Sequence, residues 1–216
     1  MNARHAELEA AVDGHVSRET LDSLEAFERE FLRWSAKINL IASSTAADLW
    51  NRHILDSAGI LKLVPADARR FVDLGSGGGF PGVVLAILLK DRPGTQMTLI
   101  ESNAKKAAFL RTALGVAHAK GVVEVARVEQ SKARAAQFDV VTARALAPLP
   151  MLLELSEPWL CSGAVGLFHK GRDYEREVKD ARDAWTLDLV KHPGTADAES
   201  VVLEIRHLAR KPQAQA

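Results

Sequence analysis

The chain has 216 residues, 47% of them hydrophobic, which is enough to bury the core of one globular domain with a small extension. Lysine and arginine total 28, as do aspartate and glutamate, so a general electrostatic attraction to nucleic acid is excluded and any such partner must meet a local patch. The single cysteine, Cys161, excludes an internal disulfide, and the first residues lack the pattern of a secretion signal, so we expect a cytoplasmic protein.

Helical periodicity dominates the first 65 residues. Apolar residues recur at steps of three and four between Leu21 and Ile38. Thr45 and Asp48 form a capping-box pattern before a second apolar series that begins at Leu49. We therefore predict an N-terminal helical extension over residues 1–65 that packs on the core.

From Phe71 onward, short apolar strands alternate with helices. We predict strands at 71–74, 97–101, 122–126, 138–142 and 163–168, and helices near 81–90, 104–114, 148–160 and 173–185. Such alternation favours an α/β fold with a mostly parallel, Rossmann-like sheet covered on both faces. The segments TLDLV and SVVLEIRHL predict a last pair of strands, so this domain spans residues 66–210, with a polar tail at 211–216. The apolar run at 83–89 is too short to cross a bilayer, so no membrane contact is expected.

The stretch FVDLGSGGGFPGVVLAI, which begins at Phe71, predicts a nucleotide-binding turn between a strand and a helix. Its alternate glycines, Gly75, Gly77 and Gly79, let the backbone approach a ligand closely. The turn lacks the lysine and hydroxyl of a P-loop, and its spacing misses the third glycine of a dinucleotide fingerprint.

Two carboxylates indicate which nucleotide this turn binds. Asp73, at the mouth of the turn, would repel a pyrophosphate but suits the ammonium and sulfonium groups of S-adenosylmethionine. Glu101 ends the next strand, where an acid can accept hydrogen bonds from ribose hydroxyls. We therefore predict an S-adenosylmethionine site; the alternative is a tight turn beside a surface acid.

Charge is unevenly distributed along the chain. Residues 1–30 hold three basic and eight acidic side chains, whereas residues 101–134 hold seven basic and three acidic ones. The basic segment could contact the phosphates of an RNA, with the N-terminal helices forming the other wall of the cleft; solvated surface charge is the alternative. The predicted RNA contacts are Lys105, Lys106, Arg111 and Lys170.

Six motifs occur in unbroken order between Asn39 and Gly171: NLIAS, RHILDS, the glycine stretch, LIESNAKKAAFLR, ARVEQ and ARALAPL. Together they resemble the RsmG family, also called glucose-inhibited division protein B, the bacterial guanine-N7 methyltransferases of 16S ribosomal RNA. The resemblance implies a class I methyltransferase fold with an N-terminal helical extension. It also implies methylation of guanine 527 in the 530 loop, with S-adenosylhomocysteine as the second product. The cofactor contacts that it implies are Gly75, Phe80, Val128, Glu129 and Arg144.

Arg144 follows the strand segment FDVVTA, so we expect its side chain in a cleft at the carboxyl ends of the strands. It would reach the methionine carboxylate, a backbone carbonyl or the target nucleotide, because a guanidinium beside the sulfonium is unfavourable. The alternative is a structural arginine paired with a carboxylate such as Asp73. No general base is expected, because guanine N7 has a lone pair and no proton to lose.

The sequence lacks the residue patterns that cysteine-dependent methylation and metal binding need. Cys161 has no surroundings typical of a cytosine-methylating nucleophile, and we expect it to be a small buried hydrophobic residue. The histidines, including His53 and His169, lack zinc-like spacing, so we expect no metal and assign them structural or RNA-facing roles. Arg52 and Asp56 have the spacing of an intrahelical ion pair.

Two rival classes stay open at this point. An NAD-dependent oxidoreductase would share the glycine turn and Glu101, although it should tolerate Asp73 poorly. A non-catalytic, ribosome-associated RNA-binding protein is the second rival. For the methyltransferase we expect a monomer whose partner is 16S ribosomal RNA or the small ribosomal subunit.

Overall fold

The structure is a computed structural model that describes residues 3–41, 48–195 and 200–212. One seven-stranded sheet forms the centre of the fold. Its strands are β1 (Arg70–Leu74), β2 (Gln96–Ile100), β3 (Val122–Glu124), β4 (Val140–Arg144), β5 (Val165–Lys170), β6 (Trp185–Pro193) and β7 (Val201–Arg210). Their order across the sheet is β3-β2-β1-β4-β5-β7-β6. The first five strands are parallel, and β7 runs antiparallel to both of its neighbours.

Helices surround this sheet. They are α1 (Ala3–Val12), α2 (Arg18–Ser35), α3 (Asp56–Gly59), α4 (Gly82–Leu88), α5 (Ala104–Val116), α6 (Leu149–Cys161) and α7 (Tyr174–Ala184). A π-helical turn, Trp50–Leu55, leads into α3, and a 3-10 turn, Ile60–Leu63, follows it. Across the described ranges, no helix is long and apolar enough to span a membrane.

Two hydrophobic cores lie on opposite faces of the sheet. On one face, the N-terminal helices pack with α4 and α5, and Phe27, Phe31 and Phe109 are fully buried there. On the other face, α6 and α7 bury Trp159 and Trp185. Helix α2 contributes its predicted apolar stripe to the first core, so the extension shares a core with the sheet rather than forming one of its own.

The predicted alternation of strands and helices is confirmed, and most boundaries agree within about two residues. The predicted C-terminal pair of strands is also confirmed, as the antiparallel β6 and β7. Strand β3 ends at Glu124 rather than at residue 126, because the chain turns away there and leaves Val125 46% exposed. Thr45 of the predicted capping box lies outside the described residues.

The expectation that Cys161 is buried is wrong. The residue ends α6 and is exposed, and its thiol donates a hydrogen bond to the Leu208 carbonyl at 3.4 Å. Partial desolvation of the sulfur, together with the nearby Glu157 carboxylate, raises the pKa of the Cys161 thiol, so the protonated form that makes this bond is favoured.

Candidate cofactor and substrate site

A cleft of about 620 Å³ opens at the carboxyl ends of the parallel strands, where ligands bind in sheets of this kind. It brings together residues from the β1–α4 turn, the end of β2, the segment after β3 and the end of β4. The predicted site residues that line it are Gly75, Gly77, Phe80, Glu101, Lys106, Val128, Glu129 and Arg144.

The glycine turn needs glycine for its backbone geometry. Gly75, Gly77 and Gly79 have φ values of 65°, 50° and 86°, in the left-handed region that L-residues rarely adopt. A Cβ atom on Gly77 would have no protein atom nearer than the Gly75 carbonyl oxygen at 3.6 Å. The turn therefore leaves free space beside its backbone, where a ligand could lie against the Gly77 main chain. We call this turn the cofactor cradle. Gly79 shapes the turn from outside the cleft.

Glu101, directly after β2, links the glycine turn to the start of α5. Its Oε2 accepts a hydrogen bond from the Gly77 amide at 2.9 Å, and its Oε1 accepts one from the Asn103 amide at 2.7 Å. Asn103 caps α5 by accepting from the first amides of that helix. The carboxylate is only 7% exposed, yet it lines the cleft, so its remaining acceptor capacity is available to a ligand there.

Asp73 lies beneath the turn instead of at its mouth. It is 1% exposed, and its Oδ1 accepts a hydrogen bond from the Thr142 hydroxyl at 2.7 Å. A Cβ atom on Gly82 would come within 2.6 Å of Asp73 Oδ2, so α4 can approach β1 this closely only with glycine there. Burial raises the pKa of Asp73 to about 6, which the hydrogen bond from Thr142 partly opposes. Sequence position alone could not distinguish the two placements.

Phe80 and Val128 supply apolar walls. The Phe80 ring packs against Phe27, Phe31 and His53, with ring centroids 5.4, 5.3 and 5.1 Å away. Val128 is buried at the start of a 3-10 turn, Val128–Gln130, and Glu129 beside it is exposed. Val128 and Glu129 thus place an apolar surface and a carboxylate next to each other on the rim of the cleft.

Arg144 separates this cleft from a second one of about 810 Å³, and it lines both. Its Nη1 lies 3.3 Å from Asp56 Oδ2, and its Nη2 donates to the Arg52 carbonyl at 2.8 Å. The next residue, Ala145, has a φ of 52°, so the chain turns sharply as it leaves β4. Arg144 does pair with a carboxylate, as the structural alternative supposed, but the partner is Asp56 rather than Asp73.

Sequence reasoning considered Asp56 only as an intrahelical partner of Arg52 and missed its contacts with Arg144 and His169. Its side chain is 1% exposed and contacts Arg144 and also His169, whose Nε2 lies 3.4 Å from Asp56 Oδ2. Its Oδ1 accepts from the Thr195 amide at 3.1 Å. A carboxylate within the apolar series ILDSAG was the available signal, because such a group is buried only with partners.

The two histidines here are neutral at neutral pH. Burial, aided by the charge of Arg144, lowers the pKa of His53 to about 4. Burial also lowers the pKa of His169, although Asp56 opposes this shift. His53 lines both clefts. Within the described ranges, no three His, Cys, Asp or Glu side chains gather in a way that could hold a metal.

The four basic residues predicted to meet RNA do not line one common cleft among those described here. Lys106 lines the first cleft, whereas Lys105 lies on a neighbouring groove. Arg111 donates to the Val123 carbonyl at 3.1 Å. Lys170 lines the second cleft, with its Nζ 2.5 Å from Glu177 Oε2 and donating to the Ala147 carbonyl.

Comparison with known proteins assigns the family. The model of the GidB family, described as rRNA small subunit methyltransferase G, matches residues 20–208. The chain belongs to this family. The Ribosomal RNA small subunit methyltransferase G of Chelativorans sp. is 54% identical over 200 residues, which cover 93% of this chain and 95% of that protein. The protein of the same name from Brucella canis is 55% identical over 196 residues, 91% and 92% of the two chains.

Solved structures agree on the fold. An O-methyltransferase from Bacillus cereus in complex with S-adenosylhomocysteine is 14% identical and superimposes with a TM-score of 0.55, over 84% of this chain and 90% of its own. A fibrillarin/Nop5p complex is 12% identical, with a TM-score of 0.51 over 66% and 74%. The chain thus has the class I, Rossmann-like methyltransferase fold. Its membership of the rRNA small subunit methyltransferase G family rejects the oxidoreductase alternative.

Proposed function

We propose that this protein transfers a methyl group from S-adenosylmethionine to N7 of guanine 527 in the 530 loop of 16S ribosomal RNA. The observation that carries the proposal is one cleft in which the glycine turn, Glu101 and Arg144 meet, in a chain of the small subunit methyltransferase family. The second cleft adjoins the first at Arg144, so a cofactor and a nucleotide can approach each other from opposite sides.

The first cleft fits S-adenosylmethionine in shape and in donor set. Gly77 leaves room at the backbone, and Glu101 presents carboxylate oxygens that suit ribose hydroxyls. Val128 would lie against the adenine plane with Glu129 at its edge, and Gly75 and Phe80 would contact the rest of the cofactor. Asp73 and Gly79 would act through the shape of the turn, because they do not line the cleft.

The reaction is a direct in-line displacement. S-adenosylmethionine held in this cleft would supply an electrophilic methyl group, which N7 would accept with its lone pair while the bonding electrons remain on the sulfur of S-adenosylhomocysteine. N7 loses no proton, so the residues need only bind, orient and exclude water. Neutral His53 and ion-paired Arg144 suit that task better than a base would.

Arg144 would position the target nucleotide. N7 must keep its lone pair for attack, so the guanidinium would meet guanine O6 or a phosphate. Lys170, in the same second cleft, would face the RNA on that side, while Lys106 would do so in the first cleft and Lys105 in the neighbouring groove. Arg111 would contribute from the same helix, α5. A monomer acting in the cytoplasm, where the small subunit is assembled, fits this arrangement.

We divide the chain by these roles. Residues 66–210 would form the methyltransferase domain, residues 1–65 a helical extension that builds the wall of the first cleft around Leu40, Ile41 and His53, and residues 211–216 a polar tail. The shared core supports the prediction that the extension stays bound to the domain.

Chemical mapping of N7-methylguanosine tests the proposal in cells. Borohydride and aniline treatment should cleave 16S RNA at position 527 when the gene is present and leave that position intact when it is deleted. A plasmid copy should restore cleavage. Cleavage that persists in the deletion strain would overturn the assignment of position 527.

A further inference from the structure

A third surface depression lies next to the cofactor cleft and belongs to neither cleft described above. This groove, of about 490 Å³, runs between the end of α2 and the start of α5. We call it the Trp34 groove. Trp34, Ile38 and Ala108 provide its apolar surface, and Arg33, Lys37 and Lys105 provide its charged rim.

The Trp34 ring is held in one place. Its Nε1 donates a hydrogen bond at 2.6 Å to Glu30, a carboxylate that is 7% exposed. Its ring centroid lies 5.8 Å from that of Phe109, which is fully buried in the core. A tryptophan anchored by its indole nitrogen and by the core, yet only partly buried, is a preorganised platform for a flat ligand.

The rim of the groove is cationic. Arg33 shares the Glu30 carboxylate with Trp34 through a 2.7 Å ion pair, so Glu30 offsets the charge of Arg33. Lys37 and Lys105 are both exposed and add two further positive charges. An aromatic platform between exposed lysines complements an unpaired nucleotide, whose base is flat and whose phosphate is anionic.

The groove adjoins the cofactor cleft. Lys105 lies on the groove and its neighbour Lys106 lies on the cleft. Ile38 lies on the groove, and Leu40, two residues later, lies on the cleft. An RNA strand whose target base reaches the methyl group from the second cleft, and which continues along the first cleft, would therefore reach the groove.

We propose that the Trp34 groove binds one unpaired nucleotide of the small-subunit RNA, close to the methylated one. Its base stacks on Trp34, and its flanking phosphates pair with Lys37 and Lys105. The proposal rests on the proposed function for the identity of the RNA. It adds a second anchoring point, distinct from the target site, which selects RNA with an exposed base at a fixed distance from the methylated guanine.

Equilibrium binding tests the groove without methyl transfer. The probe is a fluorescent single-stranded RNA with the sequence of the 530 loop, titrated with the full chain saturated with S-adenosylhomocysteine. Trp34→Leu should weaken binding roughly tenfold, because a base stacked on an aromatic side chain contributes on the order of 1–3 kcal/mol. Trp34→Phe keeps a ring and should retain most of the affinity. Leu32→Ala, 49% exposed on the same helix and outside the groove, is the matched control and should bind normally.

The salt dependence of RNA binding tests the roles of Lys37 and Lys105. The double variant Lys37→Gln/Lys105→Gln should have a shallower slope of log affinity against log salt concentration. The decrease should correspond to the loss of roughly one to two phosphate contacts. Lys179→Gln, an exposed lysine on α7, should leave the slope unchanged. All variants should bind S-adenosylhomocysteine like the wild type, which checks their folding.

The outcomes separate this proposal from the function it rests on. Wild-type RNA affinity in folded Trp34→Leu protein would overturn the groove while leaving methyl transfer by the wild type untouched. Weaker activity on whole subunits with unchanged binding to protein-free RNA would also overturn it, because the occupant would then be a ribosomal protein. Absence of methyl transfer by the wild type, with RNA binding intact, would instead overturn the proposed function.

Discussion

Asp56 and Arg144 form a 3.3 Å ion pair at the junction of the two clefts. One partner comes from the N-terminal extension and the other from the end of β4. Because the Asp56 carboxylate is buried, its charge is poorly screened and offsets that of the guanidinium. In the proposed function, the pair would therefore let Arg144 lie near the sulfonium of S-adenosylmethionine, which an isolated guanidinium would repel.

Asp56→Asn should separate the affinities of two ligands that differ in charge. The asparagine leaves Arg144 uncompensated, so affinity for S-adenosylmethionine, with its sulfonium, should fall about five- to tenfold more than affinity for S-adenosylhomocysteine. Calorimetry with both ligands measures the difference. Glu177→Gln, which removes the Lys170 pair in the second cleft, is the control and should leave the ratio of the two affinities unchanged. Equal losses for both ligands in Asp56→Asn would show a purely structural role.

Arg144→Lys should reduce kcat by roughly a hundredfold in a folded protein. The guanidinium binds Asp56 and the Arg52 carbonyl with two different nitrogens, and a lysine ammonium cannot reproduce this planar geometry. Turnover is measured at saturating cofactor and RNA, with circular dichroism as the check on folding. Turnover equal to that of the wild type would remove Arg144 from the active site.

Gly77→Val should abolish cofactor binding. The residue has a φ of 50°, which a β-branched residue strongly disfavours, and its Cβ position faces space that the ligand would need. Calorimetry with S-adenosylhomocysteine should give no measurable heat. Gly115→Ala, where a Cβ atom meets nothing within 4 Å, should bind normally. Retained affinity in the valine variant would contradict the proposed role of the cofactor cradle.

Asp73 should make folding stability depend on pH. Its folded pKa of about 6 exceeds its ordinary value of 3.8, so between these values the native state binds more protons than the unfolded state. Its contribution to the free energy of unfolding therefore falls as pH rises through this window, by about 2–3 kcal/mol. Asp73→Asn removes this titration. The free energy of unfolding of the variant, relative to that of the wild type, should therefore increase from pH 4 to pH 7.5. Denaturant titrations that show the same difference at both pH values would contradict the assignment.

Local residue patterns in the sequence predict the strands and helices well, but they do not predict contacts between segments that lie far apart in the chain. Periodicity identified the strands and helices, and the glycine turn is visible because Gly75 and Gly77 adopt backbone angles that few residues tolerate. The Arg144 bond to Arg52 joins residues 92 positions apart, and no spacing rule reaches that far. For the same reason, sequence alone put Asp73 at the mouth of the turn and Cys161 in the core.

Methyl transfer by the purified protein tests the central claim most directly. Labelled S-adenosylmethionine is incubated with the protein and with small subunits from a strain that lacks the gene, and the labelled nucleotide is mapped. The account predicts about one methyl group per subunit, recovered as N7-methylguanosine at position 527 and nearly absent with Arg144→Lys. Label at another atom or another position, or none with the wild type, would contradict it.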